Sequence, residues 1–317
     1  MHEEAGGRSA RAVTTPSRAF APLDLAMLLS IALIWGVNNI LAKLALDALP
    51  AMMMAATRFA IVLVALIWWI KPPPKGQLPL FFAMLAFIGP VHFAIQSIGL
   101  KMATDMPPMI VAMQLWAPAS VVFAALLLGE RVSGLRWAGV GLAFLGAASM
   151  NFDPAVFAQG WPLFLVGLAS AAYGFGTVLV RKLGGGLDPW ATQAWIALAA
   201  APTLSAASIT FERGHIEAAQ QAHWSIWAFI IFGAIVSSIV ANAFMFKLLQ
   251  KYEVSRTTPY LLLTPAISFA LAAIILGDRI SLQILIGAAV TLSGVALVAL
   301  AERRFKPIAP AQTPDSA

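Results

Sequence analysis

Residues 118–133 read PASVVFAALLLGERVS, and residues 265–281 read PAISFALAAIILGDRIS. Gly129-Glu130-Arg131 therefore falls opposite Gly277-Asp278-Arg279, and the spacing from Pro to Gly differs by only one residue between the copies. Each copy runs on through a polar turn into an apolar stretch rich in Gly and Ala. An offset near 147 residues is too long for the repeat of a solenoid. It marks a chain built from two related halves.

Composition sets the solvent. Of 317 residues, 60% are hydrophobic and only 11% charged, whereas a soluble domain carries roughly a quarter charged residues. That is too little polar surface for a body in water, so the chain is expected in lipid. The net charge of +6 does not point to nucleic acid, because the basic residues sit between apolar runs. There is no Cys, which removes disulfides, thiol chemistry and Cys-based metal sites. No small-residue cleavage site ends the first apolar run, so it reads as a retained span.

Apolar segments of spanning length fall near 23–46, 51–70, 78–100, 107–128, 134–151, 161–180, 190–210, 224–246, 258–276 and 281–301. In lipid every backbone polar group must be satisfied within the segment, so these ten are expected to be helices. The expected fold is an all-α membrane protein. Its parts are a tail over 1–22, a five-helix repeat over 23–151, a link over 152–160, a second five-helix repeat over 161–301 and a tail over 302–317. Phe211 to His223 is the one long polar loop. Fifteen Lys and Arg residues, among them Arg131, Arg181 and Arg303, fall on one side of this arrangement. Four, Lys43, Lys101, Arg213 and Arg279, fall on the other, and Arg58 alone lies within a span. The bias places both termini in the cytoplasm. Five spans per half is an odd number, so the halves cross in opposite senses. Many secondary transporters use such inverted repeats, with a site near the midplane.

Trp35-Gly36 in the first span, Arg58-Phe59 in the second and the two Gly-acid-Arg motifs resemble the drug/metabolite transporter superfamily, EamA-type branch. The resemblance covers roughly residues 23 to 301. It implies an α-helical carrier of the bacterial inner membrane, exporting amino acids, aromatic ones included, or other small metabolites. Asp278 stands where the family usually has Glu, and is expected still to cap the next helix.

Polar groups within spans are costly, and each needs a reason. Trp35, Asn39 and Lys43 share one face of the first span, with Asn38 adjoining, and an offset of 138 lands on Tyr173, Thr177 and Arg181. His92 and Gln96 are one turn apart, and an offset of 146 lands on Ser238 and Asn242. Arg58 has no mid-membrane Asp or Glu to pair with; it is read either as a carboxylate ligand or as a structural residue. Gln114, Trp116 and Tyr260 precede Pro118 and Pro265, which are candidate helix hinges or fixed kinks. The substrate-binding set is thus Trp35, Asn38, Asn39, Arg58, His92, Gln96, Gln114, Trp116, Tyr173, Ser238, Asn242 and Tyr260. The alternative is a hydrogen-bonded structural network. Lys43 and Arg181 are expected to snorkel near span ends, and Gly139, Ala143 and Ala147 to line a close helix packing.

No phosphate loop, metal-ligand spacing or nucleophile–base pair is present, so neither enzyme activity nor a cofactor is expected. The expected partners are a small-molecule substrate and the bilayer, with the chain a monomer or homodimer. The expected mechanism is facilitative alternating access. The competing readings are a proton-coupled antiporter that uses His92, the one group there that titrates near neutral pH, and an integral membrane enzyme acting on lipid.

Overall fold

The computed structural model describes residues 21–129, 132–149, 159–183, 188–251, 261 and 263–302. Tyr260, Glu130, Arg131, both tails and most of the 152–160 link lie outside the described residues. Every described element is helical, with no strand among the described residues. The helices are α1 (Pro22–Ala48), α2 (Ala51–Leu66), α3 (Leu78–Ala86), α4 (His92–Met102), α5 (Met106–Met113), α6 (Trp116–Leu128) and α7 (Gly134–Ser149). They continue as α8 (Gly160–Leu183), α9 (Pro189–Phe211), α10 (His215–Gln221), α11 (Trp224–Ile231), α12 (Asn242–Lys251), α13 (Leu263–Leu271) and α14 (Leu282–Glu302).

Among the described residues, seven stretches are long and apolar enough to cross a membrane: Pro22–Ala48, Ala51–Trp69, Leu78–Met102, Met106–Leu128, Gly160–Val180, Pro189–Phe211 and Trp224–Met245. Leu263–Leu276 and Leu282–Val298 are shorter apolar helices. Side chains such as Val64 and Ile274, exposed at 74% and 79%, would be a liability in water and are ordinary against lipid. The loop read over Phe211 to His223 is not wholly irregular, since it contains α10.

Three of the long stretches are broken rather than continuous. A π turn at Phe87–Val91 joins α3 to α4, with Pro90 inside it and Gly89 at φ −94°, ψ −106°. Pro90 has no N–H for the helical ladder, so the break falls where proline demands one. A second π turn, Phe232–Ala241, joins α11 to α12. The third break separates α5 from α6 at Gln114–Leu115. Pro118 cannot donate to the Gln114 carbonyl, and it lies in the first turn of α6. Pro118 therefore does not interrupt the middle of its helix; most of the residues just before Leu263, which bear on where Pro265 sits in its own, lie outside the described residues.

The helices pack in a pattern that the two halves share. α1 lies against α13 and along the turn Phe232–Ala241, while α8 lies against α6 and along the turn Phe87–Val91. α2 pairs with α9, and α7 pairs most extensively with α14. Exchanging each element for its repeat counterpart leaves this pattern unchanged. The close crossings obey the same rule. A Cβ on Gly36 of α1 would lie 2.7 Å from Ile267 Cγ2 and 3.3 Å from the Thr264 carbonyl oxygen. On Gly174 of α8, 138 residues further on, it would lie 2.7 Å from the Trp116 carbonyl oxygen. Both crossings need glycine because one backbone rests on the next helix. At the α7–α14 seam a Cβ on Gly139 would sit 2.9 Å from the Gly294 oxygen and the Val298 nitrogen. Gly139, Ala143 and Ala147 are all buried there. Without hydrophobic drive inside a bilayer, such small-residue contacts are what hold helices together.

The two motif glycines, Gly129 and Gly277, end their helices at φ 64° and 73°, in the left-handed region that glycine adopts freely. At the start of α9, Asp188 accepts hydrogen bonds from the Trp190 and Ala191 N–H groups at 2.9 and 3.2 Å. Lys71 pairs with the same carboxylate. That lysine, followed by the Ala191 N–H, holds the Asp188 carboxyl below the usual carboxylate range.

Candidate functional site

A cavity of about 310 Å³ opens among α1, α2, α4, α5, α6, α8, α9, α12, α13, α14 and the turn Phe232–Ala241, within the size range of small-molecule sites. Trp35, Asn38, Asn39, Arg58, His92, Gln96, Gln114, Trp116, Tyr173, Ser238 and Asn242 all line it. Tyr260 lies outside the described residues. Gln193 of α9, with Ser170, Ser237 and Phe93, also lines the cavity and was missed by the sequence reading. A lone amide in the apolar run 190–210 was the available signal for Gln193; Phe93 carried none.

One wall is aromatic. The rings of Trp116 and Tyr173 meet edge-on at 5.8 Å between centroids, Tyr173 lies 5.1 Å from His92, and His92 4.7 Å from Phe93. His92 is positioned by the Ala169 carbonyl of α8, 2.8 Å from Nδ1. A carbonyl only accepts, so Nδ1 carries the proton and Nε2 is the open ring position. Adjoining this wall, Arg58 donates from Nε (3.2 Å) and from one Nη (2.9 Å) to the Ser238 hydroxyl. Its Cζ stands 5.6 Å from the centroid of Phe93, close enough for a cation–π contact. A Cβ on Gly233 would come within 3.0 Å of Asn38 Oδ1 and 3.5 Å of Arg58 Cζ, so the glycine leaves room for both groups.

The amides divide into held and open groups. Asn39 donates to Ser268 Oγ at 3.0 Å, and Ser268 donates in turn to the Gly36 carbonyl at 3.2 Å. This pair of bonds ties α1 to α13. Asn242 donates back to the Ser238 carbonyl at 2.8 Å. Among the described residues that line the cavity there is no Asp or Glu.

Beyond Leu46 and Leu100, the cavity's end is roofed by a second polar cluster. Lys43 does not snorkel: it is buried, bonded to Asp47 at 2.6 Å and to the Ala103 carbonyl at 2.7 Å. The Arg181 side chain lies outside what the structure describes. Lys101 donates to the Leu46 and Leu49 carbonyls, both at 2.7 Å, and so caps the C-terminus of α1. Glu212 accepts from the Met52 and Met53 N–H groups at 2.8 and 3.1 Å. Gln159 accepts from the Thr104 and Asp105 N–H groups at 2.9 and 3.1 Å.

Asp278 corrects the expectation placed on it. It accepts from the Met106 N–H at 2.7 Å and so caps α5, in the other half of the chain. The next helix, α14, is served by Ser281, whose hydroxyl accepts from the Ile284 N–H at 3.2 Å. Partial burial pushes the Asp278 carboxyl up, ahead of the Met106 N–H that pulls it down. No group of three or more metal-ligating side chains occurs among the described residues.

Comparison with known proteins agrees with this architecture. A solved crystal structure superposes with a TM-score of 0.60, covering 90% of this chain and 99% of that one at 19% identity. That likeness concerns the fold. A probable amino-acid metabolite efflux pump of Escherichia coli is 25% identical over 283 residues, covering 86% of this chain and 93% of that protein. An uncharacterised transporter of Bacillus subtilis is 26% identical over 285 residues, covering 86% and 90%. The EamA-like transporter family model matches residues 23–152 and 160–300. With its apolar helices of spanning length, the chain belongs to the EamA-like transporter family and is a multi-pass plasma-membrane transporter.

Proposed function

We propose that this chain exports small metabolites, amino acids with apolar or aromatic side chains above all, by alternating access through the central cavity. One observation carries the reading. Polar and aromatic side chains drawn from matching positions of both halves converge on a single cavity, beside helix breaks that also recur in both halves. A purely structural network would have no reason to surround open space. The similarity to a probable amino-acid metabolite efflux pump supports the substrate class.

The reading includes ten spans in two inverted five-helix repeats, over 23–151 and 161–301, with both termini cytoplasmic. The pseudo-symmetric packing supports it, since exchanging the α1–α13 and α8–α6 contacts between halves would give two equivalent states. Transport is facilitative in this reading: the cavity wall shows no carboxylate among its described residues, and His92 Nδ1 is committed to a carbonyl. Intramembrane carboxylates or charge-changing His residues are what proton-driven carriers ordinarily use.

Counterflow of radiolabelled L-phenylalanine in proteoliposomes tests the function. Exchange without an imposed gradient is expected. Uphill accumulation driven by a pH gradient, and abolished in His92→Gln, would replace the facilitative mechanism with a proton-coupled one. No exchange of any apolar amino acid would overturn the substrate class.

A further inference from the structure

We propose that Arg58 is a carboxylate anchor, and that the cavity takes substrates bearing one carboxylate on an apolar or aromatic body while rejecting amines that lack it. The proposal rests on the export reading and narrows its substrate class.

A guanidinium keeps its proton under all ordinary conditions. Held at membrane depth, it needs an opposite charge or a set of acceptors. Arg58 has neither in full. The ion pairs among the described residues are Lys43–Asp47 and Lys71–Asp188, both remote from it. Its one hydrogen-bond partner there is Ser238, which occupies the edge formed by Nε and one Nη. The end-on edge, where both Nη groups point the same way, has no hydrogen-bond partner among the described residues, and Arg58 lines the cavity. A carboxylate binds such a fork through two parallel hydrogen bonds.

The surroundings aim the fork and hold it. Ser238 belongs to the turn Phe232–Ala241 of the second half, Phe93 covers the guanidinium at 5.6 Å, and Gly233 leaves space beside Cζ. The aromatic wall of Trp116, Tyr173 and His92 then meets the substrate's body.

The absence of Asp and Glu from the described wall sets the selectivity. A cationic amine would bring a second positive charge into a cavity that already holds one. A zwitterion is accepted, because its carboxylate neutralises Arg58 while its ammonium finds amide oxygens such as those of Asn38 and Gln96. The competing account makes Arg58 a tie between α2 and the second half through Ser238, and it predicts no selectivity for carboxylates.

The experiment uses three ligands with one aromatic body: N-acetyl-L-phenylalanine (carboxylate only), L-phenylalanine (both charges) and L-phenylalaninamide (ammonium only). Their equilibrium binding to the purified full-length protein in detergent is measured by calorimetry. The two carboxylates are expected to bind at least about tenfold more tightly than the amide. Arg58→Gln is expected to erase that difference. Arg58→Lys, which keeps the charge and loses the fork, is expected to weaken binding while retaining the preference. Ser238→Ala leaves the charge intact and is expected to reduce the preference several-fold, so the test survives if Arg58→Gln does not fold. Amide binding as tight as that of the acids overturns the anchor, and so does a preference that persists in folded Arg58→Gln. Unchanged N-acetyl-L-phenylalanine affinity in both Arg58→Lys and Ser238→Ala overturns it as well. If the amide alone binds, the anchor fails and the export reading stands. If none of the three binds, the amino-acid reading falls with it.

Discussion

Removing Glu212 should unfasten the start of α2. Pro50 precedes that helix and offers no side-chain acceptor, so the first N–H groups would lack a cap. Glu212 supplies one from 160 residues away, at 2.8 Å to Met52 N and 3.1 Å to Met53 N. Ser208 donates to the same carboxylate at 2.7 Å and orients it. Losing a side-chain cap costs about 1 kcal/mol, and losing an anion at a helix N-terminus roughly another 0.3–1. The second stranded N–H adds a further ~1 kcal/mol in this half-buried setting. Glu212→Ala is thus expected to destabilise the α2 start by about 2–3 kcal/mol. Hydrogen exchange reads this locally. The Met52 and Met53 amides should exchange roughly thirty- to 150-fold faster in Glu212→Ala. Glu212→Gln, which keeps one acceptor and loses the charge, should fall between at roughly ten- to thirtyfold. Exchange at Met52 and Met53 unchanged in folded Glu212→Ala would refute the cap.

Two further outcomes are expected. Gly139→Leu should lower the thermal midpoint in detergent, by overpacking worth about 1–3 kcal/mol at the α7–α14 seam. Gly141→Ala, whose added Cβ meets nothing within 4 Å, should not lower it. For Asp278 the sign comes from burial. Its carboxyl is raised in the folded state, so the fold binds more protons than the unfolded chain just above the usual carboxylate range, and its contribution falls as pH rises through that window. Asp278→Asn keeps an acceptor for Met106 without the buried charge. It should therefore match or exceed the parent's stability at pH 7, and that advantage should vanish as pH falls below about 4; a parent that grows relatively more stable with rising pH would refute this.

The repeat, seven of the spans and the converging polar positions were legible because lipid removes ambiguity. A Gln at position 96 or an Asn at position 242 inside an apolar run demands either a hydrogen-bond partner or a polar cavity, and the offset of 146 pairs Gln96 with Asn242 as it pairs His92 with Ser238. The cap exchanges were not legible. Nothing local distinguishes Glu212 from the other polar residues of its loop, because its partners belong to a helix 160 residues earlier. Asp278 misled for the same reason: the motif shows a helix about to start, and the carboxylate serves a different one. Lys43 was misread because closeness to a span end suggests exposure, whereas Asp47 one turn later and the Ala103 carbonyl draw it inward.

The π turns explain why the polar positions meet at all. In an unbroken α-helix, His92 would continue the stripe of Phe81 and Leu85, three and two turns after them. Those two side chains pack with Ala194, Ala197 and Ala200 of α9. Each residue that a π turn inserts rotates the remainder of the helix by about 100° relative to the ideal. Beyond Phe87–Val91 the stripe has accordingly left α9: His92 bonds to Ala169 of α8, and Gln96 faces the cavity. The second copy differs before its π turn: Ile231, two turns before Ser238 and the counterpart of Leu85, is exposed, while Ser238 within the turn meets Arg58. In the first half one local irregularity thus turns an apolar packing face into a polar lining. Conversion of the Phe87–Val91 turn to regular helix would return His92 to the apolar interface of Phe81 and Leu85, so that break is a condition for the cavity's polarity.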